Sequence, residues 1–147
     1  MAQTSSPAAK LNELIKGIEY AMLTTVRPDG ALRSCPMATA EADSNGVIWF
    51  FSGNNTEKVE AIKTDRRVNL AYSDFNSQRY VSITGEAEPV RDHVRAREMW
   101  KPLYEAWFPK GVDDPSLILL KVVVLSAEYW DGSAGHMVQL TGFAGHR

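Results

Sequence analysis

The sequence predicts a mainly β protein, a small and largely antiparallel β-barrel of about six strands with flanking helices. Strand-like segments follow one another with few helical patterns between them, and turn-forming residues separate several of them. The chain has 147 residues and a hydrophobic content of 44%, which suits one globular domain over residues 1–147. Residues 1–6 and the C-terminal tail are expected to be flexible.

A helix and a hairpin form the first part of this pattern. Ser6 followed by Pro7 is typical of a helix start, with the serine as its cap. Tyr20 to Val26 and residues 31–40 read as two strands joined by the turn "RPDG". Because Pro36 cannot donate a ladder hydrogen bond, the second strand is expected to be an edge strand or to be bulged there. The apolar residues of the helix recur on one helical face: Leu11, Leu14, Ile15 and Ile18.

The middle of the chain alternates between strands and a helix. "VIWFF" (residues 47–51) reads as a strand, and a helix is predicted from Glu57 to Thr64. Two further strands follow, within residues 68–73 and 80–90, where apolar and polar residues alternate.

The last part begins with a helical stretch that Asp92 caps and that runs to about Trp107, and Pro102 breaks or restarts it. "LILLKVVVL" (residues 117–125) is a buried strand, and "AEYWDG" extends or follows it. In the tail from residue 134, Leu140 and Phe143 are expected either to fold back over a partner subunit or to fray.

Charge and hydropathy argue against several classes of function. The net charge is −2 with no basic stripe, so a nucleic-acid partner is not expected. The longest apolar run, Leu117 to Leu125, is too short to cross a bilayer, and the N-terminus has no signal-peptide pattern, so no membrane partner is expected. Cys35 is the only cysteine, so no internal disulfide can form, and a reducing cytoplasm is the expected location.

The segment from Gly46 to Asp74 suggests an anion site. Its strand opens into the loop "SGNNT", and Asn54, Asn55 or Thr56 could cap the helix that follows. Free N–H groups at a helix start attract an anion, whereas the helix disfavours a cation such as Lys58 in its first turn unless an anion lies beside it. The loop is therefore either a phosphate site or an ordinary turn followed by a solvated surface lysine.

Arg33 is the second basic candidate, since it lies within a strand and shares a face with Cys35 and Met37. It is either a buried, paired arginine or an exposed residue of an edge strand. "CPM" could present backbone groups to a flat ligand, because Pro36 interrupts normal pairing. We favour a packed, unreactive Cys35 over a nucleophile, because no base is recognisable beside it. The histidines lack metal-ligand spacing, so no metal is expected: His93, His136 and His146.

Taken together, the motif order resembles the pyridoxamine-phosphate-oxidase-like FMN-binding split barrels, and within them the general stress protein 26 group. The likeness runs from about Leu11 to Gly132 and rests on four motifs: the "MLTTVRPDGALRSCPM" hairpin, "IWFFSGNNTEKVEAIKTDRRVNLAYSD", "YVSITGEAE" and "AEYWDG". The resemblance implies a six-stranded split barrel that forms a homodimer, with two flavins in the cleft between the subunits. The implied cofactor is FMN, with FAD as a possible substitute.

The resemblance also assigns binding residues. Arg33 and Lys58 would neutralise the FMN phosphate, and the hydroxyl groups of Ser52 and Thr56 would lie on either side of it. The remaining assigned residues surround the ring: the backbone of Ser34, Cys35, Pro36 and Met37 at its edge, Phe51 flanking it, Tyr80 near it, and Trp130 at the dimer cleft.

The sequence departs from the oxidase pattern in three places. Glu57 replaces an arginine of the phosphate turn, which weakens the anion site. Only His136 remains of the late arginine-histidine motif that grips the substrate. The stretch from Asp92 to Trp107 lacks the oxidase's arrangement of arginine, tyrosine and serine around the substrate phosphate. Efficient oxidation of pyridoxamine or pyridoxine phosphate is therefore not expected.

The leading hypothesis is an FMN-dependent oxidoreductase of unknown substrate, in which the flavin performs hydride transfer and the protein positions it. No catalytic residue is assigned. The alternatives are a non-catalytic flavin-binding or flavin-reserve protein, the same barrel with FAD or a deazaflavin, and a small interaction domain with an empty cleft. Haem is a weaker alternative, since His136 and His146 lie in the unplaced tail.

Overall fold

The structure is a computed structural model that describes residues 6–143. The expectations for residues 1–5 and for His146 therefore lie outside the described residues. The strands are β1 Tyr20–Val26, β2 Leu32–Ala42, β3 Val47–Gly53, β4 Arg67–Asp74, β5 Arg79–Val90, β6 Leu117–Asp131 and β7 His136–Leu140. The helices are α1 Pro7–Ile15, α2 Glu57–Thr64 and α3 His93–Met99, with 3-10 turns at Pro102–Ala106 and Gly111–Asp113.

Six of the strands form a closed antiparallel barrel, which confirms the predicted fold. The strand order is β3-β2-β1-β4-β5-β6, and β3 also pairs with β6, so the sheet closes on itself. β7 continues the sheet beyond β6, which makes seven strands in the described part of the chain. "AEYWDG" extends the preceding strand, because β6 runs without a break to Asp131.

Local chemistry explains where the helices begin. The Ser6 hydroxyl accepts a hydrogen bond from the N–H of Ala9 at 3.1 Å, as expected of a helix cap. Asp92 caps α3 in the same way, through a 3.0 Å hydrogen bond from the N–H of Arg95. α3 ends at Met99, and Pro102 then starts a 3-10 turn rather than continuing the α-helix.

Two apolar clusters explain why the sequence around "VIWFF" and "LILLKVVVL" is apolar on both faces. Ile48, Phe50 and Leu120 point into the barrel, where they pack with residues of α1 and α2. Phe51 and Leu119 point outwards and pack against α3 and the 3-10 turn that follows it. β3 and the start of β6, from Leu117 to Leu120, are therefore buried on both faces, so their residues do not alternate as those of β4 do.

The tail packs against its own chain and does not fray within the described residues. β7 pairs with β6 of the same chain, and Leu140 packs against the barrel cluster. Phe143 is 6% exposed and joins that cluster, where it lies close to Gly46. The expectation that Leu140 and Phe143 fray was therefore wrong, because both pack against the barrel cluster of their own chain, whereas a contact with a partner subunit stays a prediction. Residues 144–147 lie outside the described residues. No helix within residues 6–143 is long and apolar enough to span a bilayer.

The burial of Phe143 leads to a stability prediction. Phe143→Ala should lower the free energy of unfolding by about 3 kcal/mol, because it removes a buried ring and leaves a cavity. Thr141→Ala, two residues earlier and exposed, should change it by less than about 0.5 kcal/mol. Urea unfolding followed by tryptophan fluorescence measures both. Equal effects of the two variants would contradict the position of the tail.

Candidate functional site

A cleft of about 480 Å³ opens where β2, β3 and the start of α2 face the 3-10 turn at Pro102–Ala106. Its walls come from segments far apart in sequence, and five of the residues assigned to flavin binding lie among them. Those five are Pro36, Met37, Phe51, Ser52 and Lys58. The other lining residues are Tyr20, Ala38, Gly53, Asn55, Tyr104, Trp107, Phe108 and Ser116.

One wall of the cleft is an open strand edge. β3 pairs with β2 only from Thr39 onwards, so the first part of β2 pairs with β1 alone. This agrees with the expectation of an edge strand at Pro36. The pairing also shifts its register between Thr39 and Glu41, just beyond the open part.

The backbone of this open edge points into the cleft. The hydrogen bonds from Arg27 N–H to Ala31 O and from Thr39 N–H to Glu19 O show that odd-numbered β2 residues bond to β1. The N–H and C=O groups of even-numbered residues therefore point away from β1. Pro36 therefore lacks its N–H on the side of β2 that has no strand partner, so no ladder hydrogen bond is lost there. A flat ligand at this edge would meet backbone acceptors and donors, although "CPM" itself offers only the carbonyl of Pro36.

The start of α2 forms the second wall. Thr56 occupies the cap position, but its side chain accepts no hydrogen bond from the helix. Its hydroxyl instead donates to the carbonyl of Gly53 at 3.2 Å, and the hydroxyl of Ser52 donates to the same oxygen at 3.0 Å. Because no side chain caps the helix, its first N–H groups keep the partial positive charge that attracts an anion.

The charges at this wall are partly balanced. Nε of Arg33 lies 2.7 Å from Oε2 of Glu57, and the two side chains are 41% and 52% exposed. Arg33 thus reaches α2, but its charge is balanced by Glu57, the residue that departs from the oxidase pattern. Lys58 lines the cleft and forms no ion pair with any other residue of the described chain. Two cations and one carboxylate leave a single net positive charge.

The wall opposite the strand edge is aromatic. Tyr104 packs against Phe51 with the ring centroids 4.8 Å apart, and Trp107 packs against Tyr104 at 6.1 Å. Trp100 contacts the rings of both Phe51 and Tyr104. Burial raises the pKa of the Tyr104 phenol, and the Glu19 carboxylate raises it further. The phenol therefore stays protonated at neutral pH and keeps its capacity to donate a hydrogen bond.

Sequence reasoning missed this wall. An aromatic residue in a helical pattern is usually core, yet 52% of Trp107 is exposed. Neither Tyr104 nor Phe108 was assigned to the site from the sequence, although both are buried beside the cleft. The available signal was their spacing, since residues 104, 107 and 108 fall on one side of a helical turn after Pro102.

Two assigned residues, Tyr80 and Trp130, lie away from the cleft. Tyr80 pairs with Ser73 on the sheet, and Trp130 pairs with Met137 on β7. Neither lines the cleft of the same chain. Ser34 and Cys35 lie on β2 just outside the lining residues, where the Ser34 hydroxyl is hydrogen-bonded to that of Thr24 at 2.7 Å. Cys35 is partly buried and packs against the barrel cluster, as expected of an unreactive cysteine.

Other regions offer little chemistry. A second depression of about 440 Å³ beside the end of α1 contains none of the assigned residues. Its most buried polar group is the Tyr72 hydroxyl, which is hydrogen-bonded to Thr39 at 2.6 Å. Burial raises the pKa of Tyr72 to about 12. Among residues 6–143, no group of three His, Cys, Asp or Glu side chains is arranged to hold a metal ion.

Comparison with known proteins places the chain in a family context. The profile of the family described as "Pyridoxamine 5'-phosphate oxidase like" matches residues 6–145. A curated relative, protein bli-3 of Neurospora crassa, is 26% identical over 133 residues, which cover 82% of this chain. This chain spans only 64% of the length of that relative.

Solved structures share the fold. A protein from Clostridium acetobutylicum, described as related to general stress protein 26, superposes with a TM-score of 0.79 and 21% identity, covering 91% of this chain and 93% of that one. The general stress FMN/FAD binding protein from Xanthomonas citri gives a TM-score of 0.71 and 30% identity, covering 82% of this chain and 85% of that one.

Proposed function

The chain belongs to the pyridoxamine 5'-phosphate oxidase-like family, and on that premise we propose that it binds a flavin, FMN in the first place, in the cleft between β2 and α2. The observation that carries this proposal is the meeting of two features in one cleft. An uncapped helix start with Lys58 beside it suits a phosphate, and the open edge of β2 suits the polar edge of a flat ring. A bound flavin would supply hydride chemistry at its ring.

The phosphate contacts alone would not hold the cofactor. A helix start contributes at most about 1 kcal/mol for an exposed anion, whereas micromolar binding requires about 8 kcal/mol. Lys58, the Ser52 and Thr56 hydroxyls and the helix N–H groups would share the phosphate. Most of the binding free energy would then come from the ring, through the β2 backbone and Phe51.

Arg33 would contribute only by leaving or sharing Glu57. The ion pair is exposed, and pairs of this kind are worth about 0–1 kcal/mol, so a phosphate could draw Arg33 away at little cost. The Xanthomonas citri relative is named as binding FMN or FAD, which supports a flavin here and keeps FAD as an alternative ligand.

We further propose that the protein is a homodimer whose partner completes the site. The outer face of the sheet has an uncovered row of residues that are paired across six strands: Pro36, Met22, Ala71, Ser82, Glu128 and Gln139. Only Glu128 is charged in that row, and Met22 is 43% exposed. A partly apolar face with a single charged residue in this row suits a second copy of the chain. Tyr80 and Trp130, which lie outside the cleft of their own chain, would then reach the flavin of the partner.

We propose that the activity is an FMN-dependent oxidoreduction without a dedicated acid or base from the protein. Lys58, Tyr20 and Tyr104 are the titratable residues among those that line the cleft, and no carboxylate, histidine or cysteine is among them. The same observation favours the second candidate, a protein that holds flavin without turnover. The single Cys35 agrees with a reducing compartment such as the cytoplasm.

One experiment separates these two functions. The FMN-loaded protein is mixed anaerobically with NADPH or with NADH, and the flavin absorbance is followed. Bleaching by either nucleotide and recovery with an oxidant support the oxidoreductase. A flavin that stays bound yet is reduced by neither nucleotide favours the non-catalytic role.

The role of Lys58 is tested by two flavins. Lys58→Ala should weaken FMN binding roughly 10- to 100-fold, because it removes a charge-assisted hydrogen bond to the phosphate. Riboflavin, which has no phosphate, should bind both proteins equally. Lys63→Ala, on the same helix but paired with Glu60, should leave FMN binding unchanged. Titration of the apo-protein with quenching of flavin fluorescence measures all of these affinities. An equal loss of riboflavin affinity would contradict phosphate binding at Lys58.

Glu57 should oppose the phosphate. Glu57→Gln should tighten FMN binding by about 3- to 10-fold, because it removes a negative charge near the phosphate and releases Arg33. Riboflavin affinity should not change. The matched control is Glu60→Gln, which removes a carboxylate one turn further along α2. If both variants leave FMN affinity unchanged, the phosphate does not lie beside the Arg33–Glu57 pair.

The dimer proposal is tested at the centre of the sheet face. Ala71→Arg should convert the dimer to a monomer, because it places a large charged side chain in the middle of the proposed interface. Light scattering after size-exclusion chromatography gives the mass directly. Ala9→Arg, on the exposed side of α1, should remain dimeric. A monomeric wild-type protein, or a dimeric Ala71→Arg variant, would contradict this interface.

A further inference from the structure

Three aromatic residues form one wall of the cleft, which we call the aromatic wall: Tyr104, Trp107 and Phe108. Tyr104 and Phe108 are 3% and 5% exposed, so packing holds both in place. Trp107 is 52% exposed and tilts only 31° from the plane of Tyr104. A half-exposed indole supported by buried rings is a rigid, flat surface on the cleft.

The aromatic wall has a firm support. Tyr104 contacts Phe51 of β3 and Trp100 behind it, and the cluster continues into the apolar layer between the barrel and α3. Trp107 therefore rests on a layer that is fixed by the barrel itself. Its indole remains half exposed although the barrel, α3 and the 3-10 turn are all folded around it.

The charge around the aromatic wall restricts what could bind there. Lys58 is the one charged residue among those that line the cleft, and it lies on α2. The aromatic wall itself contributes rings and two hydrogen-bond donors, the indole N–H of Trp107 and the Tyr104 hydroxyl. That hydroxyl forms no hydrogen bond with any other side chain or backbone group of residues 6–143. The wall is thus suited to a ring that carries a neutral acceptor rather than an anionic group.

We propose that the aromatic wall binds a second ligand, a planar and uncharged aromatic compound with a carbonyl oxygen, which stacks on Trp107 and accepts a hydrogen bond from Tyr104. The inference rests on the proposed function, because this ligand is the compound that would meet the flavin. It extends that function by naming the class of substrate. A phosphorylated substrate would need a second cation, and the aromatic wall has none.

The test uses 2-methyl-1,4-naphthoquinone as the probe and the FMN-loaded protein in its oxidised state. Calorimetry should show saturable binding of the probe, and Trp107→Ala should weaken it roughly tenfold by removing the stacking surface. Tyr104→Phe should weaken it less, because it keeps the ring and removes one hydrogen bond. Leu103→Ala is the matched control, since Leu103 is 53% exposed on the same 3-10 turn but does not line the cleft.

A charged analogue tests the class of ligand. 1,4-Naphthoquinone-2-sulfonate and pyridoxine 5'-phosphate should bind at least tenfold more weakly than the uncharged quinone. Tighter binding of either anion would overturn the inference, and so would binding of the quinone that Trp107→Ala leaves unchanged. If Trp107→Ala instead lowers FMN affinity as much as quinone affinity, the wall belongs to the flavin site and the inference is wrong.

The two proposals fail in different ways. An absence of FMN binding to the wild-type protein defeats the proposed function whatever the quinone does. Normal FMN binding with no quinone binding defeats only the second ligand. Binding of the quinone to the apo-protein with the same dependence on Trp107 would preserve the aromatic wall as a site without a flavin.

Discussion

The pairing of β3 with β6 is the interaction on which the rest of this structure depends. It closes the barrel, and it also places two strands between two apolar layers, so that Phe50 faces the interior and Phe51 faces α3. Because both faces of β3 are buried, packing on each face fixes the position of the strand. The strand can then deliver Ser52 and Gly53 to the cleft at a defined position, and α2 starts only a few residues later. A flexible loop in place of β3 would not hold the start of α2 against the open edge of β2.

The open edge of β2 follows from the same closure. β3 pairs with β6 from Val47 to Gly53 but with β2 only from Ile48 to Phe50, so the first part of β2 has β1 as its single neighbour. Pro36 lies in that part. In a fully paired strand a proline would cost a ladder hydrogen bond, but here the side without a partner needs none. A proline in a strand thus marks the place where the barrel exposes its backbone. The same residue reduces the risk that another strand adds to this edge.

Much of this architecture could be predicted from the sequence, and the reasons differ between elements. The capping residues Ser6 and Asp92 and the break at Pro102 act locally, so their effects were readable without the fold. The position of Phe143 depends on a contact between the tail and a distant turn at Gly46, which no local pattern encodes. For the site, the possible phosphate-binding turn could be recognised because its residues are consecutive in the sequence. Trp107 was not, because an aromatic residue in a helical pattern is usually core, and its exposure depends on what packs around it.

The Arg33–Glu57 ion pair is unfavourable for a phosphate site, which is the simplest interpretation of the cleft. A dianionic phosphate gains from each additional cation, and here one of two cations is held by a carboxylate 2.7 Å away. Removing Glu57 would strengthen a phosphate site, so a sequence shaped only for phosphate affinity would not keep it. The pair costs little to separate, because it is exposed, and it keeps Arg33 directed at α2 while no ligand is present. In the proposed flavin complex the phosphate contribution would be reduced, and discrimination between ligands would shift to the groups that meet the ring. Those groups would be the backbone of β2 and Phe51, and the barrel and the α3 layer hold both in place.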